Sequence, residues 1–231
     1  IYFIFSRAAT QDATRQLAAA GVRLTSPEER ERIAAVVQAR CAVIPEADLL
    51  AVGFGEFSDS LQRGVAAHHA GMLPIFKEVV EELFQQALLK VVFATETLAL
   101  GINMPARTVV LERLVKWNGQ THADITPGEY TQLTGRAGRR GIDVEGHAVV
   151  LFGPNVQPNH LAGLASTRTY PLRSSFRPTY NMAVNLVRRV GRRISREILE
   201  TSFAQYQSDQ SVVGLAAQIK RNENVIDGYR E

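Results

Sequence analysis

Residues 65–94, VAAHHAGMLPIFKEVVEELFQQALLKVVFA, decide the fold. They read as a strand over 65–68, a helix over 74–86 and a second strand over 91–94. The helix carries apolar residues at Ile75, Phe76, Val79, Val80, Leu83 and Phe84, the spacing of one buried face. Pro74 suits its first turn. The flanking runs are short, β-rich and almost continuously apolar, as expected of parallel strands covered on both faces. Working outward, 1–5, 108–111 and 148–152 supply three more runs of that kind. A helix is expected over 8–20, ended by Gly21. Another is expected over 26–40, where Ser26, Pro27, Glu28 and Glu29 form a start signature. Strand and helix alternate throughout, so the fold class is α/β, a parallel sheet with helices on both faces.

The pattern changes after Phe152. Gly153, Pro154, Asn155, Pro158 and Asn159 read as a turn-rich hinge, and no strand pattern follows. Expected bounds are 1–153 for the α/β domain and 154–169 for a linker. Helices are expected over 180–190, over 196–206 with Ser195 as cap, and over 210–229. The chain has 231 residues, 45% of them hydrophobic and 21% charged, which excludes wholesale disorder. Its single cysteine, Cys41, excludes an internal disulfide or a cysteine-built zinc site and reads as a small buried residue. No apolar run approaches the ~18 residues of a membrane span, and the expected location is cytoplasmic. The first residue is not Met and lies inside a strand-like run, which reads as a cut end within a longer protein. Net charge is +3, yet the segment 136–196 holds eleven Arg, no Lys and two acids, +9 against −6 for the remainder. Such a block suits phosphate or nucleic acid, and equally a set of solvated helix faces.

Chemistry concentrates in Tyr130-Thr131-Gln132-Leu133-Thr134-Gly135-Arg136-Ala137-Gly138-Arg139-Arg140-Gly141. At helical spacing Gln132, Arg136 and Arg139 point the same way, and Gly135 and Gly138 let another surface come close. Guanidinium forks there suit a transferring phosphoryl group. The alternative is a helix end dressed with Arg to match its dipole. A second stretch runs from the buried strand at Ala94 through Thr95, Glu96 and Thr97 to Gly101 and Asn103. Hydroxyls after a strand's carboxyl end suit a phosphate, or plain helix capping. In a third, His68 and His69 are adjacent on a strand, so they face opposite ways and form no metal pair. One core and one surface imidazole are expected. In a fourth, Lys116, Trp117, Asn118 and Gly119 suggest a two-residue hairpin turn. An exposed aromatic and cation beside it would stack single-stranded nucleic acid, unless Trp117 folds onto the sheet.

Together these blocks resemble the second RecA-like domain of a superfamily 2 helicase. Phe3-Ile4-Phe5-Ser6-Arg7 resembles motif IV, and His68-His69-Ala70-Gly71-Met72-Leu73-Pro74 resembles motif IVa. Ala94 to Pro105 is similar to motif V, and Gln132 to Arg139 to motif VI. Lys116-Trp117-Asn118-Gly119, Tyr180-Asn181-Met182 and Ser202-Phe203-Ala204-Gln205 narrow it to the Ski and exosome-associated DExH RNA helicases, on their bacterial, HelY-type side. The resemblance implies a partial winged-helix domain over 170–210 and the start of a stalk helix over 211–231. It implies that Arg136, Arg139 and Gln132 serve catalysis and that Gly101 and Asn103 also touch the nucleotide. Ser6, Arg7, Gly71, Thr95, Thr97, Lys116 and Trp117 would hold nucleic acid, and no residue would hold a metal.

The sequence has no G-x-x-x-x-G-K-[ST] loop and no Asp-Glu metal motif. ATP and Mg would therefore sit chiefly on a first RecA-like domain, and this piece alone would be inactive. The implied partners are RNA (DNA as the alternative), that N-terminal domain and RNA-degradation machinery, with no membrane. The rival readings are a non-catalytic nucleic-acid-binding module and a DNA repair helicase of the related branch. The motor reading depends on Arg136 and Arg139 being aimed together across a gap, not tied up away from the sheet edge that carries Thr95.

Overall fold

The computed structural model describes residues 1–99, 104–117, 119–154, 156–167, 169, 174, 176, 178–210, 218, 219 and 222. The chain divides into two units, Ile1–Arg168 and Thr169–Glu231. The first unit runs β1 (Tyr2–Phe3), α1 (Arg7–Ala19), α2 (Pro27–Cys41), α3 (Glu46–Ala51), α4 (Phe54–Gln62), β2 (Val65–His68), α5 (Pro74–Gln85) and β3 (Val91–Ala94). A 3-10 turn η1 (Glu96–Ala99) follows. Then come β4 (Thr108–Leu111), β5 (Val115–Trp117), β6 (His122–Asp124), α6 (Pro127–Thr134), β7 (His147–Val150) and α7 (Pro158–Ser166).

Five strands form one sheet in the order β2-β3-β1-β4-β7. Every pairing in it is parallel. Parallel strands need long crossovers, and those crossovers become the covering helices. One face presents Phe3, Ala66, Val92, Ala94, Val109 and Leu111 to Ile33 and Val37 of α2, Leu61 of α4 and Val79, Val80 and Leu83 of α5. The other presents Ile4, Val65 and Phe93 to Ala9, Ala13 and Leu17 of α1. This is the expected α/β sheet with helices on both faces. Ser26 accepts the Glu29 N–H, and the Glu29 carboxylate accepts the Ser26 N–H, a capping box that starts α2 where the sequence signature puts it.

Three local expectations change. A helix, α7, forms inside the stretch read as linker, because Leu164 and Leu161 pack on the core of the first unit. Pro158, read as a breaker, takes the tolerated first-turn position. In the second unit α8 (Tyr180–Glu200) breaks at Gly191, with φ 79°, directly after the expected end at 190, but helix resumes there and not after Ser195. The Ser195 hydroxyl donates to the Gly191 carbonyl (2.7 Å) instead of capping a new helix. Between β5 and β6, Trp117 pairs with His122, so 118–121 connect the strands in place of a two-residue turn. The helix expected over 210–229 lies mostly outside the described residues, as do Gly101, Asn103 and Asn118. Among the described residues no helix is long and apolar enough to cross a membrane.

Leu83 is fully buried, whereas Val43 is 78% exposed. Leu83→Ala should cost about 2–5 kcal/mol, and Val43→Ala no more than about 0.5 kcal/mol, by equilibrium denaturation.

Candidate nucleotide and nucleic-acid interface

The carboxyl ends of β1, β2 and β3 lie side by side, and each releases a candidate loop. After β1, Ser6 caps α1 by accepting the Ala9 N–H (3.3 Å), with Arg7 next to it. After β2, the Gly71 N–H donates to His69 Nδ1 (3.1 Å). A side chain at Gly71 would meet His69 Nδ1 at 3.2 Å and Arg7 Cδ at 3.4 Å, so Arg7 lies directly over this glycine. After β3, the Thr95 N–H donates to the His68 carbonyl (3.1 Å), and its hydroxyl pairs with that of Thr97 (2.9 Å). Ser6, Arg7, Gly71, Thr95 and Thr97 thus share one edge of the sheet. That edge is where open α/β folds bind ligands.

Both histidines are buried, which corrects the expectation of one surface imidazole. His68 Nε2 meets Glu81 at 2.9 Å, and His69 Nε2 lies 3.1 Å from the Gln11 amide. Burial, then the nearby Arg7 and His68, push the His69 pKa down, so it stays neutral and accepts from Gly71.

The arginine motif differs from its helical reading. α6 starts with a Thr126–Glu129 capping box and ends at Thr134. Gln132 therefore stands exposed on the helix, while Arg136 and Arg139 lie beyond it. Residues 136–138 are instead strapped to the chain entering β4. The Ala106 N–H donates to the Arg136 carbonyl (2.8 Å), and the Gly138 N–H to the Ala106 carbonyl (2.7 Å). Gly138 has φ 89°. What comes close to it is the chain's own Gly146, where an added Cβ would fall 2.4 Å from the Gly138 nitrogen.

The two guanidiniums then diverge. Arg136 Nη2 donates to the Ala99 carbonyl at the end of η1. Arg139 forms a fork with Asp143, Nε to Oδ2 at 2.8 Å and Nη2 to Oδ1 at 2.7 Å. It borders a cavity of about 540 Å³ with Lys90, Val91, Arg107 and Thr108, at the amino ends of β3 and β4 and hence opposite Thr95. The shared aim expected of the pair is absent from this structure. Hydrogen bonds from the Arg139 side chain and backbone hold the Asp143 carboxyl down at about 2.

Lys116 does not face outward from its hairpin. Its side chain is 16% exposed and bridges Glu96 of η1 and Glu129 of α6, the latter at 2.6 Å. Burial opposes its charge, but hydrogen bonds to Glu129 and Glu96 outweigh that and raise its pKa. Trp117 does face outward, 54% exposed, with its ring edge on His122. Sequence reasoning missed Asp143, Gly146 and Glu129, and singled out the stretch holding Glu96 without its tie to Lys116. The four-residue spacing of Arg139 and Asp143 could have signalled one of them; a backbone contact such as that of Gly146 leaves no local signal. Among the described residues no cluster of three metal-ligating side chains occurs.

Residues 22–141 match the family described as Helicase conserved C-terminal domain. The chain is 62% identical over 226 residues to "Probable helicase HelY" of Mycobacterium tuberculosis, covering 98% of this chain and 25% of that protein. It is 43% identical over 170 residues to "ATP-dependent RNA helicase mtr4" of Schizosaccharomyces pombe (73% and 15% covered). To "Superkiller complex protein 2" of Homo sapiens it is 39% identical over 209 residues (90% and 16% covered). The chain spans about a quarter of the length of the first of these relatives.

Gly146→Ala should displace the 136–139 loop and cost about 1–3 kcal/mol, since backbone blocks the new methyl group. A melting curve checks this. The Asp143 carboxyl, titrated by NMR, should have its midpoint near 2 and not at the ordinary 3.8. The pair's contribution is then complete above that ordinary value and is lost as pH falls through about 2.

Proposed function

Because this chain belongs to the Helicase conserved C-terminal domain family, we propose that it is the second RecA-like lobe of an ATP-dependent RNA helicase. The observation that carries the proposal is the row of loops at the carboxyl edge, Ser6–Arg7, Gly71 and Thr95–Thr97, on three adjacent strands. Ser6 accepts from Ala9 and keeps its own hydroxyl hydrogen for an outside acceptor. Arg7 supplies a cation above a glycine that leaves the backbone open. The Thr95–Thr97 pair leaves one hydroxyl hydrogen to donate outward. Donors spaced along an edge suit successive phosphates of a single strand and carry no base preference. Trp117 offers a ring on which a base stacks.

ATP is the substrate in this reading, bound between this lobe and an N-terminal RecA-like lobe that carries the phosphate loop and the Mg site. Arg136 is tied to η1, and Arg139 to Asp143 at the end opposite Thr95, so no shared aim of the pair is assumed. The outer edge of Arg139 is assigned to the transferring phosphoryl group, Arg136 and Gln132 join it only when the cleft closes, and Gly101 and Asn103 are assigned by resemblance alone. Closure moves the nucleic-acid grip relative to the other lobe, and hydrolysis reopens the cleft. Lys116 acts as a strut in this scheme, not as a ligand for RNA. Residues 170–210 form the start of a winged-helix domain. Assembly beside RNA-degradation machinery belongs to the same proposal, supported by a relative named as part of a complex.

In the complete protein, Arg139→Ala should lower RNA-stimulated ATP hydrolysis by about 10³ or more and leave RNA affinity within about threefold. Thr95→Val should do the reverse, weakening RNA affinity first. Unchanged turnover in the arginine variant removes its assignment. Stimulation by DNA equal to that by RNA removes the RNA preference.

A further inference from the structure

We propose that Asp143 is a positioning residue, which fixes the plane of the Arg139 guanidinium so that its outer edge is presented to a nucleotide phosphate. The inference rests on the reading of Arg139 given above and adds a residue to it. Asp143 engages the guanidinium from the side, through Nε and Nη2. Nη1 has no partner among the described residues, and Nη2 keeps a second hydrogen. The free edge is therefore the end of the fork, the edge a phosphate would take bidentately.

The carboxylate is itself held. Oδ2 also accepts the Arg139 backbone N–H (2.9 Å). The Ile142 and Asp143 N–H groups donate back to the Arg139 carbonyl at 3.0 and 2.9 Å. Gly138 and Gly141, both at positive φ, bracket this turn. Asp143 is 8% exposed, against 35% for Arg139, so the anion sits inside and the cation faces out. Arg107 borders the same cavity as Arg139 and lies close enough to act on the Asp143 charge. A carboxylate near an incoming phosphate is thereby partly offset. A competing role, in which Asp143 occupies Arg139 until nucleotide displaces it, would place the carboxylate on the end of the fork.

Asp143→Asn tests the difference, because one amide oxygen still accepts from Nε and from the backbone. The new NH2 group then confronts Nη2, donor against donor, so the turn is kept and the fork is not. In the complete protein this variant should lower kcat about 10–100-fold, with KM for ATP and RNA affinity changed less than about threefold. It should lower the melting temperature only by the loss that neutralising Asp143 with acid causes in the parent. Asp143→Glu should recover part of the loss. If Asp143→Asn hydrolyses ATP at the parental rate or faster while Arg139→Ala is inactive, positioning is wrong. If Arg139→Ala is itself fully active, the underlying arginine reading fails instead. Arg139→Lys has no planar fork to orient, so adding Asp143→Asn to it should cost nothing more. Full additivity of the two losses overturns the proposal even if Asp143→Asn alone is unstable.

Discussion

The two-residue strand Tyr2–Phe3 lies at the centre of the sheet and is hydrogen-bonded on both sides, to β3 and to β4. Both ends of the lobe depend on that pairing. It brings the Ser6–Arg7 turn beside the turns that follow β2 and β3, and it sets the distance to β4 and hence to the arginine loop strapped at Ala106. Phe3 is completely buried and Ile4 nearly so, on opposite faces. A strand this short holds its place because its neighbours on either side are rigid and its two faces are both covered, not through its own ladder.

The lobe has two chemically different ends. At the carboxyl end, hydroxyls, a cation and an open glycine line up. At the amino end Arg139, Arg107 and Lys90 border one cavity, with Asp143 as the inner anion of Arg139 and Glu29 as the partner of Lys90. Between the two ends runs η1. Its first residue, Glu96, meets Lys116, which also holds Glu129 at the start of α6. Its last residue, Ala99, accepts from Arg136 just past the end of α6. The short turn after Thr95 is therefore tied at both ends to the segment that carries the arginines. Side-chain contacts at both ends of η1 thus join Thr95 to that segment.

The sheet was legible in the sequence because β1 to β4 are largely buried and so appear as apolar runs, and β2, β3 and β4 fall on the residues those runs occupy. β7 also reads as an apolar run but is a mostly exposed edge strand, not one covered on both faces. The capping box of α2 was legible because it is a local exchange of hydrogen bonds. Features set by distant contacts were not. α7 owes its helix to Leu161 and Leu164 meeting the core, which outweighs a Gly, Pro and Asn-rich approach. Lys116 turns inward because two carboxylates from other elements await it, and nothing next to it announces them. The arginine spacing misled for a physical reason: α6 stops at Thr134, so the step from Gln132 to Arg136 and Arg139 is not a helical one.

The basic segment over 136–196 shows how a charge count divides once the chain is folded. Arg139 is held by an inner anion, and Arg136 is committed to η1. On α8, by contrast, Arg196 pairs with Glu200 and Arg193 approaches Glu197, each one turn along an exposed helix. Such pairs contribute little and would be expected of any solvated helix face. The solvated-face reading holds for these α8 arginines, and the phosphate reading is the one proposed for Arg139. What separates them is whether the partner carboxylate is itself fixed: Asp143 is pinned by a backbone N–H and sits out of solvent, whereas Glu197 and Glu200 are free to swing away. A cation whose counter-anion is pinned has a fixed direction, and direction is what a phosphate site requires of it.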